Sequence, residues 1–227
     1  MNTVVVVHPE YALYWCAAIA VSAALTIAAA GWKRRTAFYV LKPLTTLLII
    51  GLALTQDAEL YLVPFYRPLV AAGMVFSLVG DVLLMLPRDR FVAGLVAFLV
   101  AHLLYIVAFT FDGVRTTWWI AFPLAAYAVV LLRTLLPHVA ARLKAPVKVY
   151  AGVLLAMAWM ALERGAAGLP GGAFAAAGAL LFVASDSALA TDRFARRFRG
   201  AEAVVLGTYF AAQTLIALSI GWRGGHT

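Results

Sequence analysis

Two aspartates, Asp81 and Asp186, lie deep inside long apolar stretches of the chain and have similar neighbours. A carboxyl group at membrane depth costs roughly 2.5–3.5 kcal/mol even on lenient insertion scales, so acids kept there usually mark a site or an ion pathway. Two such groups could act together, one protonated as a general acid and the other ionised as a general base. That pair suits hydrolysis of an acid-labile bond without a covalent nucleophile, and it equally suits proton-coupled transport. If the protein is an enzyme, we expect both aspartates to be catalytic.

Seven other polar residues in the apolar stretches could line a cavity with these two acids. They are Lys42, Ser77, His102, Tyr105, Ser185, Tyr209 and Gln213. Ser77 lies four residues before Asp81, and Tyr209 lies four before Gln213, so each pair shares one helix face. We expect the seven side chains to bind substrate in a polar cavity, although each could instead join helices by hydrogen bonds.

The composition is that of an integral membrane protein. Of the 227 residues, 65% are hydrophobic and 12% are charged, against about 25% charged in soluble domains. A membrane span needs about 20 apolar residues, and little sequence is left over for a second domain. The chain therefore predicts an all-α integral membrane protein, one transmembrane domain over 1–227. We predict eight transmembrane helices, at 11–32, 37–54, 68–87, 91–111, 117–136, 146–162, 172–190 and 202–222.

Loop charges predict the orientation of these helices. Eleven Lys and Arg residues fall in the odd-numbered loops, and four fall in the even-numbered loops and the C-terminal tail. Because basic loops stay in the cytoplasm, we expect the odd loops there and both termini outside. Basic cytoplasmic loops explain the net charge of +8, and we expect no binding of nucleic acid because the sequence has no nucleic-acid-binding module. The Ala- and Arg-rich composition suggests a bacterial inner membrane, and the N-terminus does not resemble a cleaved signal peptide.

The two halves of the chain, 11–111 and 117–222, resemble each other. Lys42 precedes Asp81 by 39 residues and Lys148 precedes Asp186 by 38, and an Asp-Arg-Phe triplet follows each aspartate. Four spans in each half would form a parallel internal repeat, related by an axis along the membrane normal. Chance similarity between apolar helices is the alternative.

Several common catalytic motifs are absent from the sequence. There is no nucleophile elbow, HExxH motif, Walker loop or cluster of metal ligands, so we expect no metal and no cofactor. Cys16 is the single cysteine, which excludes an internal disulfide and a cysteine-based metal site.

Runs of residues around the polar positions resemble the lysoplasmalogenase family, the YhhN-like membrane proteins. The runs are 42–46, 76–85, 94–98, 101–106, 182–189 and 209–217. The resemblance covers nearly the whole chain and implies hydrolysis of the vinyl ether bond of lysoplasmalogens. The products would be a fatty aldehyde and glycerophosphoethanolamine or glycerophosphocholine.

This chemistry agrees with a pair of carboxyl groups. Vinyl ethers hydrolyse by protonation at carbon, followed by capture of the oxocarbenium ion by water. Asp81 or Asp186 would donate the proton, and the other would stabilise the cation and activate water. Lys42 could bind the substrate phosphate. The alternatives are a proton-coupled transporter of small molecules or lipids that uses the acidic pair, and a non-catalytic lipid-binding membrane protein.

Overall fold

The eight predicted spans are confirmed by the computed structural model, which describes residues 9–56, 65–86, 90–111, 113–114 and 116–221. Within these residues, eight helices are long and apolar enough to cross a membrane. They are α1 (Pro9–Gly31), α2 (Arg35–Thr55), α3 (Tyr66–Met85), α4 (Phe91–Thr110), α5 (Trp118–Leu135), α6 (Ala141–Ala166), α7 (Gly172–Ala190) and α8 (Ala201–Leu218). Five residues that were used in the loop, repeat and span predictions lie outside the described residues. They are Arg88, Asp89, Arg115, Trp222 and Arg223.

The sixth helix is longer than its sequence predicts. We expected a span of 146–162 that the charged pair Glu163-Arg164 ends, but α6 runs over Ala141–Ala166 and includes that pair. Both side chains are buried, each 2% exposed. A buried charge is tolerated inside a bundle when it has partners, and that is the physical reason for the error.

Those partners come from neighbouring segments. The Glu163 carboxylate accepts hydrogen bonds from the Trp159 indole, at 2.8 Å, and from the backbone N–H of Thr117. The Arg164 guanidinium lies over the Tyr66 ring, 4.4 Å from its centroid. The pair therefore joins α6 to α3 and to the segment before α5.

Two pairs of consecutive helices, α3 with α4 and α7 with α8, pack most closely. Gly73 and Gly80 make the first approach possible, because a Cβ on Gly73 would meet the Tyr105 ring and one on Gly80 would lie 2.6 Å from the Phe98 ring. Both glycines therefore let aromatic side chains of α4 pack beside the helix that carries Asp81.

Helix α5 lies at the edge of the bundle. Leu135 is its one buried residue, and its main packing partner is α6. A hydrogen bond of 2.7 Å from the Tyr127 hydroxyl to the Ser187 hydroxyl ties it to α7. Beyond α7, a π-helical turn, Thr191–Ala195, leads into the last loop and also contacts α5.

Candidate functional site

Asp81 lies at the centre of a buried polar network. Its side chain is almost fully enclosed, and its Oδ1 is 2.9 Å from the Lys42 ammonium. Its Oδ2 accepts hydrogen bonds from the hydroxyls of Thr46, at 2.8 Å, and Tyr209, at 2.7 Å. Three donors from α2 and α8 therefore satisfy this carboxylate, and the Lys42 charge is matched by that of Asp81.

The network continues across the bundle through Gln213. The Gln213 amide nitrogen donates to the Tyr209 hydroxyl at 3.4 Å, and the Tyr105 hydroxyl donates to the Gln213 amide oxygen at 2.8 Å. All three side chains are buried. Four helices, α2, α3, α4 and α8, are thus joined by one chain of hydrogen bonds that begins at Lys42.

Asp186 has a different environment from Asp81. It is half-buried on α7, and its Oδ2 accepts a hydrogen bond from the Tyr150 hydroxyl of α6. Among the described residues, no cation lies within ion-pair distance of it. Lys148, which the repeat aligns with Lys42, is exposed instead. Asp186 therefore has one hydroxyl partner, whereas Asp81 has an ammonium and two hydroxyls.

An apolar groove runs beside Asp186. It has about 660 Å³ of empty space, part of it open to the surroundings, and its walls come from α3 to α7 and the π-helical turn. Six of the side chains that line it are Leu84, Phe91, Phe98, Leu131, Leu154 and Ala190. Asp186 and Tyr150 also line this groove, and Asp81 and Lys42 do not. The oxygens of Asp81 are used inside the packed network, so this groove adjoins one acid, and the polar cavity around both acids stays a prediction.

A layer of aromatic rings lies between the two acids. The Phe182 ring is 5.5 Å from the Tyr209 ring and 4.7 Å from the His102 ring, measured between centroids. His102 is in turn 5.4 Å from the Tyr150 ring. A continuous row of packed aromatic rings therefore connects the surroundings of Asp81 with those of Asp186. Its members are Tyr209, Phe182, His102 and Tyr150.

Two predicted site residues are buried without a hydrogen-bond partner among the described residues. They are His102, at both ring nitrogens, and Ser77, at its hydroxyl. Buried polar atoms usually have a partner in the protein or in ordered water. His102 and Ser77 are therefore the residues of the core that could still accept a water molecule or a polar group of a ligand.

Ser185 is engaged in helix packing. Its hydroxyl donates to the backbone oxygen of Val205 at 2.9 Å and joins α7 to α8. Of the nine predicted site residues, six lie in or beside the network of Asp81. They are Lys42, Ser77, Tyr105, Tyr209, Gln213 and Asp81 itself.

Sequence reasoning missed two hydroxyl donors to the aspartates. Thr46 precedes Asp81 by 35 residues, and Tyr150 precedes Asp186 by 36. The two donors thus occupy matching positions in the two halves. A search for hydroxyl residues 35 or 36 positions before each aspartate could have found both. The repeat itself stays a prediction.

The fold and this site define a class: a multi-span membrane protein with two aspartates, Asp81 and Asp186, on the inner helices of its bundle. A family model described as the YhhN family matches residues 37–220, so the chain belongs to the YhhN family.

Named relatives share much of the sequence. The chain is 34% identical over 193 residues to an uncharacterized membrane protein YhhN of Escherichia coli, covering 83% of this chain and 88% of that protein. It is 39% identical over 154 residues to human lysoplasmalogenase TMEM86B, covering 68% of this chain and 64% of the human protein. The bovine lysoplasmalogenase TMEM86A is 34% identical over 157 residues, covering 66% and 64%. The matched region thus spans somewhat less than two thirds of these lysoplasmalogenases. No solved structure matches the chain.

Proposed function

We propose that this protein is a membrane-embedded ether hydrolase that cleaves the vinyl ether bond of lysoplasmalogens. The products would be a fatty aldehyde and glycerophosphoethanolamine or glycerophosphocholine. The names of the mammalian relatives support the substrate class. The observation that carries the proposal is the carboxyl group of Asp186 in the wall of an apolar groove. Such a groove, with apolar walls and a single carboxyl group among them, suits a hydrocarbon chain that ends at a polar group.

Asp186 is the better placed of the two acids to donate the proton. A carboxyl group in an apolar wall without a cation beside it avoids the cost of burying a charge when it carries a proton. The Tyr150 hydroxyl donates to Oδ2 and thereby fixes the orientation of the carboxyl plane. The Asp186 proton passes to the β-carbon of the vinyl ether, whose π electrons form the new C–H bond. An oxocarbenium ion is left at the carbon bound to oxygen.

The same carboxylate then completes the reaction. Water attacks the oxocarbenium carbon and loses a proton to Asp186, which restores the acid. The hemiacetal breaks its bond to the glycerol oxygen, which leaves with a proton, and the aldehyde forms. Between proton transfer and the attack of water, the negative charge of Asp186 stabilises the oxocarbenium ion in the low-dielectric groove.

Asp81 acts as a positioning residue in this mechanism. Its carboxylate holds Lys42 and Tyr209, and Tyr209 packs on the Phe182 ring in the layer next to His102. His102 packs on the ring of Tyr150, the residue that donates to Asp186, and Ser77 lies beside Tyr105 in the network of Asp81. Tyr105 and Gln213 fix the Tyr209 ring, and Ser185 fixes α7 against α8. On the basis of loop charges, we place the protein in a bacterial inner membrane with the odd loops in the cytoplasm.

The test compares three lysophospholipids of equal chain length, with a vinyl ether, an alkyl ether or an acyl ester at the glycerol. Purified protein in detergent is expected to release aldehyde from the vinyl ether alone. In water labelled with heavy oxygen, the glycerol product should carry no label, because water attacks the alkenyl carbon. Release of fatty acid from the ester, or label in the glycerol product, would contradict the mechanism. If no lipid is cleaved and the lipid instead crosses proteoliposomes along a proton gradient, the protein is a transporter.

A further inference from the structure

The π-helical turn after α7 lies at one end of the groove. It brings Phe194 against Phe91, with ring centroids 5.5 Å apart and the rings edge to face. Both rings line the groove, the first from the turn and the second from the start of α4. The Asp192 carboxylate accepts the backbone N–H of Phe198 at 3.3 Å and thereby orders the loop that follows. π-helical turns inside longer helices are often found at functional sites.

Arg193 lies on this aromatic end of the groove. Its guanidinium carbon is 4.0 Å from the centroid of the Phe91 ring and 5.8 Å from that of Phe194. The residue is exposed, whereas Phe91 is buried. An arginine stacked on an aromatic ring keeps its planar N–H groups in a fixed direction, and those groups match the oxygens of a phosphate. The groove thus has an apolar interior, and the Arg193 guanidinium lies against the two aromatic rings at its end.

The separation of Arg193 from Asp186 agrees with the dimensions of a lysophospholipid. Seven residues along a helix correspond to about 10 Å at 1.5 Å per residue. In a vinyl ether lysophospholipid, about seven bonds join the carbon to be protonated to phosphorus, which is roughly 8 Å at the reach per bond of an extended chain. An arginine at this distance can therefore hold the phosphate while the double bond lies at Asp186.

Lys42 is a less suitable phosphate ligand than the sequence indicated. Its ammonium group is largely buried and lies 2.9 Å from the Asp81 carboxylate, which already matches its charge. It lies on α2, which contributes no side chain to the groove, whereas Arg193 stacks on two of the rings that line it.

We propose that Arg193 binds the phosphate of a single-chain phospholipid whose hydrocarbon chain occupies the groove, and that it selects phosphate-bearing lipids over neutral ones. The assignment of this lipid as a substrate rests on the proposed function, but the binding site itself does not.

The experiment measures binding of two ligands that cannot be hydrolysed as vinyl ethers: an alkyl-ether lysophospholipid and the alkylglycerol of equal chain length without phosphate. Wild-type protein in neutral detergent is expected to bind the phospholipid more tightly. Arg193→Gln should weaken that binding by about tenfold or more, as expected for loss of a hydrogen bond to a charged group. Its affinity for the alkylglycerol should change less than about twofold, because the groove is intact. Arg199→Gln is the matched control, since Arg199 is an exposed arginine of the loop that follows the π-helical turn, whereas Arg193 stacks on two rings that line the groove.

If Arg193→Gln weakened the binding of both ligands equally, the proposal would be overturned, because Arg193 would then only support Phe91 and the shape of the groove. Unchanged binding of the phospholipid, or an equal loss in Arg199→Gln, would also overturn it. If Arg193→Gln is not monodisperse, Arg193→Lys replaces it. That variant keeps the charge but loses the planar fork, so we expect a smaller loss confined to the phospholipid. Neither ligand has a vinyl ether, so this binding test does not depend on hydrolysis. Selective binding of the phospholipid, together with no aldehyde release from a vinyl ether lysophospholipid, would refute the hydrolase proposal and leave this one standing.

Discussion

Replacement of Asp81 by asparagine should destabilise the bundle far more than the same replacement of Asp186. Asp81→Asn leaves the buried Lys42 ammonium without its partner at 2.9 Å. Breaking a buried ion pair on one side costs about 3–5 kcal/mol, because an uncompensated charge remains. Asp186→Asn keeps an oxygen that can accept the Tyr150 hydroxyl, so its expected cost is at most about 1 kcal/mol, the net contribution of one hydrogen bond.

Thermal unfolding in detergent, followed by tryptophan fluorescence, measures this difference. For a chain of this length, 1 kcal/mol corresponds to about 2–4 °C in Tm, so Asp81→Asn should unfold roughly 10 °C below wild type and Asp186→Asn only a few degrees below. The double variant Lys42→Met with Asp81→Asn removes both charges. It should recover much of the lost stability, since replacing both members of a buried pair by uncharged groups is often neutral.

Equal Tm values for Asp81→Asn and Asp186→Asn would refute the reasoning about the ion pair. Activity of the double variant then separates the two roles of Asp81. If Asp81 positions Tyr209, a stable double variant should retain part of the wild-type turnover. A stable but inactive double variant would show that the Asp81 carboxylate takes part in the chemistry itself.

Two further predictions concern packing and the groove. Gly73→Ala should lower the free energy of unfolding by about 1–3 kcal/mol, because its Cβ would meet the Tyr105 ring. Gly152→Ala is the control, at a helical glycine with open space around it, and it should raise Tm slightly. If Gly152→Ala lowered Tm as much as Gly73→Ala does, the close packing of Tyr105 on Gly73 would be contradicted. Leu131→Trp should fill part of the groove and raise KM for long-chain substrates more than for short ones. Val130→Trp, at an exposed neighbouring position, should not change KM in this way. Equal effects of Leu131→Trp and Val130→Trp on KM would exclude the groove as the binding site of the hydrocarbon chain.

Much of the fold could be predicted from hydropathy, because a span of about 20 apolar residues is visible without knowledge of its neighbours. The end of α6 could not. Glu163 and Arg164 stop an apolar run in the sequence, and only the Trp159 and Tyr66 contacts explain why the helix continues through them. Tertiary partners decide whether a charged residue ends a span or lies within it.

The candidate site was predictable in part for a similar reason. Asp81, Asp186 and Lys42 stand out because ionisable residues are rare in apolar stretches. Tyr150 does not stand out, since tyrosines are common in membrane helices, and its role depends on its contact with Asp186. The groove was not predictable either, because its walls come from five helices whose side chains are ordinary apolar residues.

In the proposed mechanism, Asp186 in the groove wall is the acid that protonates the vinyl ether. Measurement of aldehyde release tests this role of Asp186. Purified wild type, Asp186→Asn and the double variant Lys42→Met with Asp81→Asn are compared on a lysoplasmenylethanolamine, each after its Tm is measured. We expect aldehyde from wild type, some from the double variant, and almost none from a stably folded Asp186→Asn. Near-normal aldehyde release by Asp186→Asn would contradict it.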